Sequence, residues 1–231
     1  MPSVLITSAN RGLGLEFARQ YLQRGWAVIA ACRSPEAATD LKKLDRGPGG
    51  SLRLVAMDVT EEKTIRDAAV SLLKQPIDVL LNTAGIIGKG ELPLGRTDYR
   101  IWAQVLEVNT FGPWRVLEAF LPNLLAGTLK QAVSITSGMG SIADNTSGSY
   151  LAYRTSKAAL NMAMRNAAIE LKGKGVTCVV MDPGWVKTDM GGPRATLTPE
   201  QSVTSMLRTI DKLDLAATGR FLNHDGKTRA W

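Results

Sequence analysis

The chain has 231 residues, 45% of them hydrophobic and 21% charged, which suits one well-buried α/β core and argues against disorder. No apolar run approaches the roughly 18 residues of a membrane span, and the opening MPSVLITSAN lacks the basic flank and long apolar stretch of a signal peptide, so a cytoplasmic protein with no membrane partner is expected. The formal charge of +7 raises nucleic acid as a partner, but the basic residues are scattered and the densest run, Lys172-Gly173-Lys174, reads as a helix end; with no RNA-binding signature or zinc-ligand spacing, neither nucleic acid nor a metal is expected.

In chain order, the first predicted strand is SVLIT (3–7), and a helix follows over 12–24. Between them runs Thr-Ser-Ala-Asn-Arg-Gly-Leu-Gly (7–14). Gly12 and Gly14 let backbone approach an anion closely, and Arg11 adds positive charge. Two glycines alone are weak evidence, and an ordinary strand-to-helix turn explains this stretch equally well. The second strand, WAVIAAC (26–32), ends at Arg33. That is about twenty residues past the loop, where an NAD-binding fold usually places an acid on the adenosine ribose. An arginine there suits a 2′-phosphate, and with Arg11 it forms a two-arginine clamp that favours NADP(H) over NAD(H).

A helix is predicted over 35–44, then a strand LRLVAM (52–57) ending at Asp58-Val59, and a helix over 61–74. The strand IDVLLN (77–82) runs into Asn82-Thr83-Ala84-Gly85, and one long helix over 98–126 carries Asn109 as its odd polar residue. A solvent-facing or kinking asparagine is the plain alternative there. AVSITS (132–137) closes on Ser137, a helix spans 151–172, and VTCVVMDP (176–183) leads to Pro183-Gly184. A last helix over 199–212 and the strand GRFLN (219–223) complete the pattern. Cys32 and Cys178 lie inside strand-like runs and read as buried free thiols.

Strands apolar at every residue, alternating with helices and unbroken by a linker or repeat, give one doubly wound α/β domain over residues 1–231. Such sheets hold ligands beyond the carboxyl ends of their strands. The functional-looking residues collect there: the first loop, Arg33, Asp58, Asn82 to Gly85, Ser137 and Pro183-Gly184. Tyr153 and Lys157, four apart on a predicted helix, share a face. An ammonium near a phenol lowers its pKa and makes a proton shuttle. Tyr150 is no rival, because Arg154 four residues on does not titrate usefully, and Ser137 is placed to hydrogen-bond a substrate oxygen.

Taken together these residues resemble the short-chain dehydrogenase/reductase family over nearly the whole chain. The resemblance rests on Thr7–Gly14, Asp58-Val59-Thr60, Asn82-Thr83-Ala84-Gly85, Asn109, Ser137, Tyr153-x-x-x-Lys157 and Pro183-Gly184-x-Val186-x-Thr188. GSIADN, YRTSKAALN, PGWVKTDMGG and FLNHDGKTRAW narrow it to the C-factor and Sniffer-like carbonyl reductases. The resemblance implies a Rossmann-like seven-stranded parallel sheet flanked by helices. It implies that NADP(H) is held by Ser8, Asn10, Arg11, Gly12, Leu13, Gly14 and Arg33, by Asp58, Val59, Asn82, Ala84 and Gly85, and by Pro183, Gly184, Val186 and Thr188. It further implies that Tyr153 is the acid/base, that Lys157 binds the nicotinamide ribose, that Ser137 orients the carbonyl, and that Asn109 holds a water feeding protons towards Lys157.

The expected activity is NADPH-dependent reduction of a small-molecule ketone or aldehyde, with alcohol oxidation or NADP-binding signalling of the C-factor type as alternatives. Family members pair through helices matching 98–126 and 151–172, so a homodimer or homotetramer is implied. Two departures stand out. Ser8 replaces the first glycine of the usual loop, and Ser137 lies 16 residues before Tyr153, a longer gap than usual. Ser141 is the rival serine, and the extra residues are expected to loop out around Thr146-Ser147-Gly148. The segment after Thr188 is short for a lid, which leaves an open site; Trp185 and Met190 are candidate pocket walls, with buried packing the stronger expectation for both.

Overall fold

The computed structural model describes residues 1–44, 46–88 and 93–231. Its seven strands are β1 (Ser3–Ile6), β2 (Ala27–Cys32), β3 (Ser51–Ala56), β4 (Val79–Asn82), β5 (Gln131–Ile135), β6 (Thr177–Asp182) and β7 (Phe221–Asn223). They form one parallel sheet in the order β3-β2-β1-β4-β5-β6-β7. The helices are α1 (Gly12–Gln23), α2 (Thr39–Lys42), α3 (Glu62–Ser71), α4 (Tyr99–Leu106), α5 (Gly112–Ala126), α6 (Leu151–Leu171) and α7 (Pro199–Ile210).

Alternate residues of each strand point to opposite faces, and both faces are apolar. Leu5, Ile29, Val55 and Leu80 join the core under α3, α5 and α6. Val4, Ile6, Val28 and Leu81 join the core under α1, α2 and α7. This two-sided burial explains why the strands read as unbroken apolar runs. Cys32 and Cys178 are buried and free, as expected.

The sheet order reverses between β1 and β4, so the chain leaves these adjacent strands in opposite directions and opens a crevice at their carboxyl ends. Thr7 closes the base of that crevice. Its hydroxyl accepts from the backbone N–H of Thr83 at 3.0 Å and of Ala84 at 3.1 Å, and the Thr83 hydroxyl donates to the Thr7 carbonyl.

Two predicted helices differ. The stretch 35–44 gives only a 3₁₀ turn at Pro35–Ala37 and the single turn of α2, because Ala38 (φ −80°, ψ 64°) interrupts them. The 98–126 helix contains a π-helical segment, Glu107–Phe111, between α4 and α5. Pro113 has no N–H for the Asn109 carbonyl and its ring crowds that carbonyl, so widening the helix one residue upstream relieves both problems. Among the described residues no helix is long and apolar enough to cross a membrane.

Candidate active site

The strand ends, the start of α1 and the N-terminal half of α6 enclose a continuous groove of three adjoining cavities. The cavity over α1, of about 160 Å³, is lined by Ser8, Arg11, Gly12, Leu13, Gly14 and Gly85, and reaches Tyr153, Lys157, Pro183 and Thr188. A second, of about 320 Å³, extends from Ser8 and Arg11 past Asn10, Arg33, Asp58, Val59 and Ala84. A third, of about 470 Å³, opens on the other side between Ser137, Tyr153, Gly184, Trp185, Val186 and Met190. A separate groove between α3 and α5 lies away from the strand ends and shares no residue with these three.

The first loop has the form of an anion cradle. Arg11 caps α1 without a side-chain hydrogen bond, and no acidic residue stands in the first turn. The leading N–H groups and the positive end of the helix therefore face the cavity with no carboxylate of their own turn to compete, and Asp189, on the cavity wall, is the nearby acid. A Cβ on Gly14 would strike the Ser8 carbonyl and come within 2.9 Å of Thr83 Oγ1, so only glycine fits. Ser8 takes the left-handed conformation (φ 51°) that a glycine would hold without strain, at about 1–2 kcal/mol for a residue with a Cβ. Its hydroxyl has no protein partner among the described residues. Arg33 is exposed and carries no ion pair among the described residues, and Arg11 makes only a 4.0 Å contact with the open Asp189. Both guanidinium groups stay available to an anion.

Asp58 and Asn82 have structural duties as well. Asp58 Oδ1 accepts from the Thr60 N–H and hydroxyl at 2.9 and 2.7 Å, which shapes the turn beyond β3. Asn82 is buried behind the groove, with its amide 3.3 Å from the Pro113 carbonyl and 3.4 Å from Ser134 Oγ. It braces the wall, while Ala84 and Gly85 line it.

At the inner end, α6 presents Tyr153 and Lys157, both buried. Lys157 Nζ donates to the Ile135 carbonyl at 2.9 Å and lies 5.8 Å from the Tyr153 ring centre. Burial lowers the Lys157 pKa to about 8. Burial also raises the Tyr153 phenol to about 12, opposed by hydrogen bonding with Ser137 and reinforced by the charge of Asp182. The expectation that the lysine brings the phenol down is therefore corrected for the protein by itself. Desolvation dominates, and the ammonium is held on a strand carbonyl.

Asn109, fully buried in the π segment, is neither solvent-facing nor idle. Its Oδ1 accepts from the Ile86 N–H at 2.8 Å, and its Nδ2 donates to the Ile86 carbonyl at 2.8 Å and to Ser156 Oγ at 2.9 Å. Thr110 adds a bond to the Ser156 carbonyl at 2.9 Å, so the π segment is pinned to α6 one residue from Lys157. A Cβ on Gly85 would lie 3.4 Å from Asn109 Oδ1 and 3.5 Å from Lys157 Nζ, so Gly85 stands next to both groups.

Ser137 lines the third cavity, whereas Ser141 is buried and accepts from the Asp144 N–H at 3.1 Å as a loop cap. The intervening residues form an exposed loop that Arg154 clips to α6 through the Gly148 and Ser149 carbonyls, at 2.8 and 3.1 Å. Trp185 and Met190 are 52% and 42% exposed and stand on the cavity wall, against the buried packing expected of them. The Trp185 indole N–H reaches the Gly191 carbonyl at 2.8 Å, which fixes the ring there. Sequence reasoning missed Tyr150 as a wall of this cavity and Thr7 and Ser156 as braces. Tyr150 is held left-handed at φ 50° and ψ 40°.

A family model of short chain dehydrogenases matches residues 2–197. The chain belongs to the short-chain dehydrogenase family. The C-signal of Myxococcus xanthus is 46% identical over 167 residues, which cover 72% of this chain and all of that protein. Among solved structures, the carbonyl reductase Sniffer of D. melanogaster is 32% identical with a TM-score of 0.91, each chain covered in full. The NADPH-bound carbonyl reductase from chicken fatty liver is 36% identical with a TM-score of 0.90, covering all of this dehydrogenase and 99% of that chain. These likenesses bear out the narrower resemblance and the Rossmann-like sheet.

Proposed function

We propose that this short-chain dehydrogenase reduces ketones and aldehydes to alcohols with NADPH, residues 1–231 acting as one catalytic unit. The observation that carries the reading is the position of Tyr153, which lines both the cavity running from the α1 cradle and the open cavity beside Ser137. A proton donor at that junction serves a substrate lying against a cofactor.

The residues fit NADP(H). The glycine cradle and free N–H groups of α1 suit a pyrophosphate, and the exposed Arg33 and Arg11, the latter held only by a 4.0 Å contact with the open Asp189, suit a 2′-phosphate. The NADPH bound to a similar carbonyl reductase supports the same choice. When bound, the nicotinamide supplies the hydride. Pro183 and Thr188 hold that end of the groove.

The protein places the carbonyl and supplies the proton. Ser137, whose Oγ accepts from the Met139 N–H at 3.1 Å, turns its own hydrogen towards the substrate oxygen. Tyr153, kept protonated across the neutral range by burial, gives that oxygen its proton. The Lys157 ammonium favours the phenolate as it forms, and a proton relay through Lys157 would return the proton to the phenol. The half-exposed Trp185, Met190 and Tyr150 suit bulky, varied carbonyl compounds.

The test is NADPH consumption across a panel of ketones and aldehydes, with activity expected on several bulky members. The likeness to C-signal supports a second reading, NADP binding in signalling with no need of turnover. NADPH binding with no turnover of any panel member would favour it.

A further inference from the structure

The C-terminal tail ends beneath the catalytic serine. β7 is followed by a tight reversal in which the Asn223 N–H donates to the Lys227 carbonyl at 2.8 Å, and this brings Arg229 back across the sheet edge. The Arg229 guanidinium meets three groups from three parts of the chain. Nε donates to Asn223 Oδ1 at 2.8 Å, one terminal nitrogen lies 2.8 Å from Asp144 Oδ2 in the loop before α6, and the other lies 3.2 Å from Asp182 Oδ2 at the end of β6. Its flat face lies against Gly138, the residue after Ser137. A Cβ there would come 2.7 Å from the nearer guanidinium nitrogen, 2.9 Å from Cζ and 3.2 Å from Asp182 Oδ2. Two residues on, the Ala143 N–H donates to the Trp231 carbonyl at 2.9 Å, and the Trp231 ring packs on Phe221.

We infer that Arg229 is a positioning residue for the reaction: it backs the Ser137-Gly138 turn and neutralises Asp182 beneath the reacting groups. The inference rests on the reductase reading above for its consequence in turnover, though not for its structural content. Asp182 is only 10% exposed at its side chain, and it bonds the Gly184 N–H at 3.2 Å where the Pro183–Thr188 segment begins. Its carboxylate therefore stands between the serine turn and the cofactor-side loop, and it acts on Tyr153 in the direction that disfavours the phenolate. The groups around Tyr153 are Lys157 from α6, Ser137 from the end of β5 and Asp182 from β6, and Arg229 is the cation paired with the last of these. The five-donor fork of arginine reaches all three acceptors at once, which a lysine cannot do.

The experiment compares wild type with Arg229→Met, Arg229→Lys and the double variant Arg229→Met/Asp182→Asn. In the cofactor-free protein, amide hydrogen exchange at Met139 and Gly140 is expected to quicken at least tenfold in Arg229→Met. In turnover, alcohol oxidation, which needs the phenolate, is expected to rise at higher pH in Arg229→Met and to return towards the wild-type profile in the double variant. Arg229→Lys is expected to keep the wild-type pH profile while losing part of kcat. The double variant removes the nearly buried carboxylate and leaves only the half-exposed Asp144 without its cation, so it guards against a simple folding failure. Unchanged exchange in a folded Arg229→Met overturns the inference whether or not any carbonyl is turned over, and a pH profile that Arg229→Met leaves unmoved overturns the electrostatic part. No turnover by wild type, with exchange quickened as expected, counts against the reductase reading alone.

Discussion

At the inner end of the groove, Asn109, Ser156 and Lys157 are buried and hydrogen-bonded to one another's elements or to strand-end backbone, whereas at the outer ends Arg11 and Arg33 stand in solvent and Trp185 and Met190 are half-exposed. The difference separates two kinds of task. A proton-transfer corner needs fixed geometry and altered acidity, which burial with satisfied partners supplies. A cofactor-selecting clamp needs charges free to meet a phosphate, and a broad substrate wall needs surfaces free of other packing. Changes at the inner end should therefore alter rate and acidity, and changes at the outer end should alter which molecules bind.

The largest expected effect is at the inner end. Tyr153→Phe should lower turnover by about 10²–10⁴ while NADPH affinity, measured by fluorescence titration, changes little. A large loss of affinity would place the tyrosine in the cofactor site and erase the distinction. Next, Gly14→Ala forces a methyl into the Ser8 carbonyl and Thr83. It should cost about 1–3 kcal/mol in denaturant unfolding and weaken NADPH binding together with stability. At the outer end, Arg33→Asp removes a charge-assisted bond of about 1.5–3 kcal/mol and should shift the NADPH/NADH preference about 10- to 100-fold towards NADH. An unchanged ratio would remove Arg33 from the clamp.

Acidity offers a subtler probe. The fold releases the Lys157 proton at about 8, whereas the unfolded chain keeps it to the ordinary value of 10.5. Between those limits the unfolded state binds more protons, so this group adds stability as pH rises and withdraws it as pH falls through 8. Wild type should gain on Lys157→Met across that window in denaturant melts of the cofactor-free protein, and parallel curves would mean the ammonium is not desolvated. The smallest effect belongs to Ser8→Gly, which relieves a left-handed serine. It should stabilise by about 1 kcal/mol or less, and unchanged NADPH affinity would show that the hydroxyl does not touch the phosphate.

The outer groove was more legible in the sequence than the inner corner. Apolar runs announce strands buried on both faces, and the residues just past each run, from Gly12 and Arg33 to Pro183, fall at the crevice because parallel sheets present their carboxyl ends together. Tyr153 and Lys157 were visible through their helical spacing. What stayed hidden depends on contacts distant in sequence. Thr7 looks like any strand-end threonine until Thr83 and Ala84 lie beside it. Asn109 is singled out by the family resemblance, with a surface or kink residue as the plain alternative, but nothing local reveals Ser156 and Ile86 as its partners, although Pro113 four residues on is a readable sign that the helix cannot stay regular. The exposure of Trp185 went against its apolar character, since the ring is held at the cavity wall by a bond to Gly191. The phenol's raised pKa was also out of reach, because the lysine's influence could be read from spacing but the desolvation could not.

The most direct measurement is NADPH oxidation by wild type and Tyr153→Phe across bulky ketones and aldehydes, with cofactor binding followed in the same samples. The account predicts turnover of several substrates by wild type, its near-abolition in the variant, and similar NADPH affinity in both. Tight NADPH binding by wild type with no turnover of any carbonyl, or a Tyr153→Phe variant as active as wild type, would contradict it.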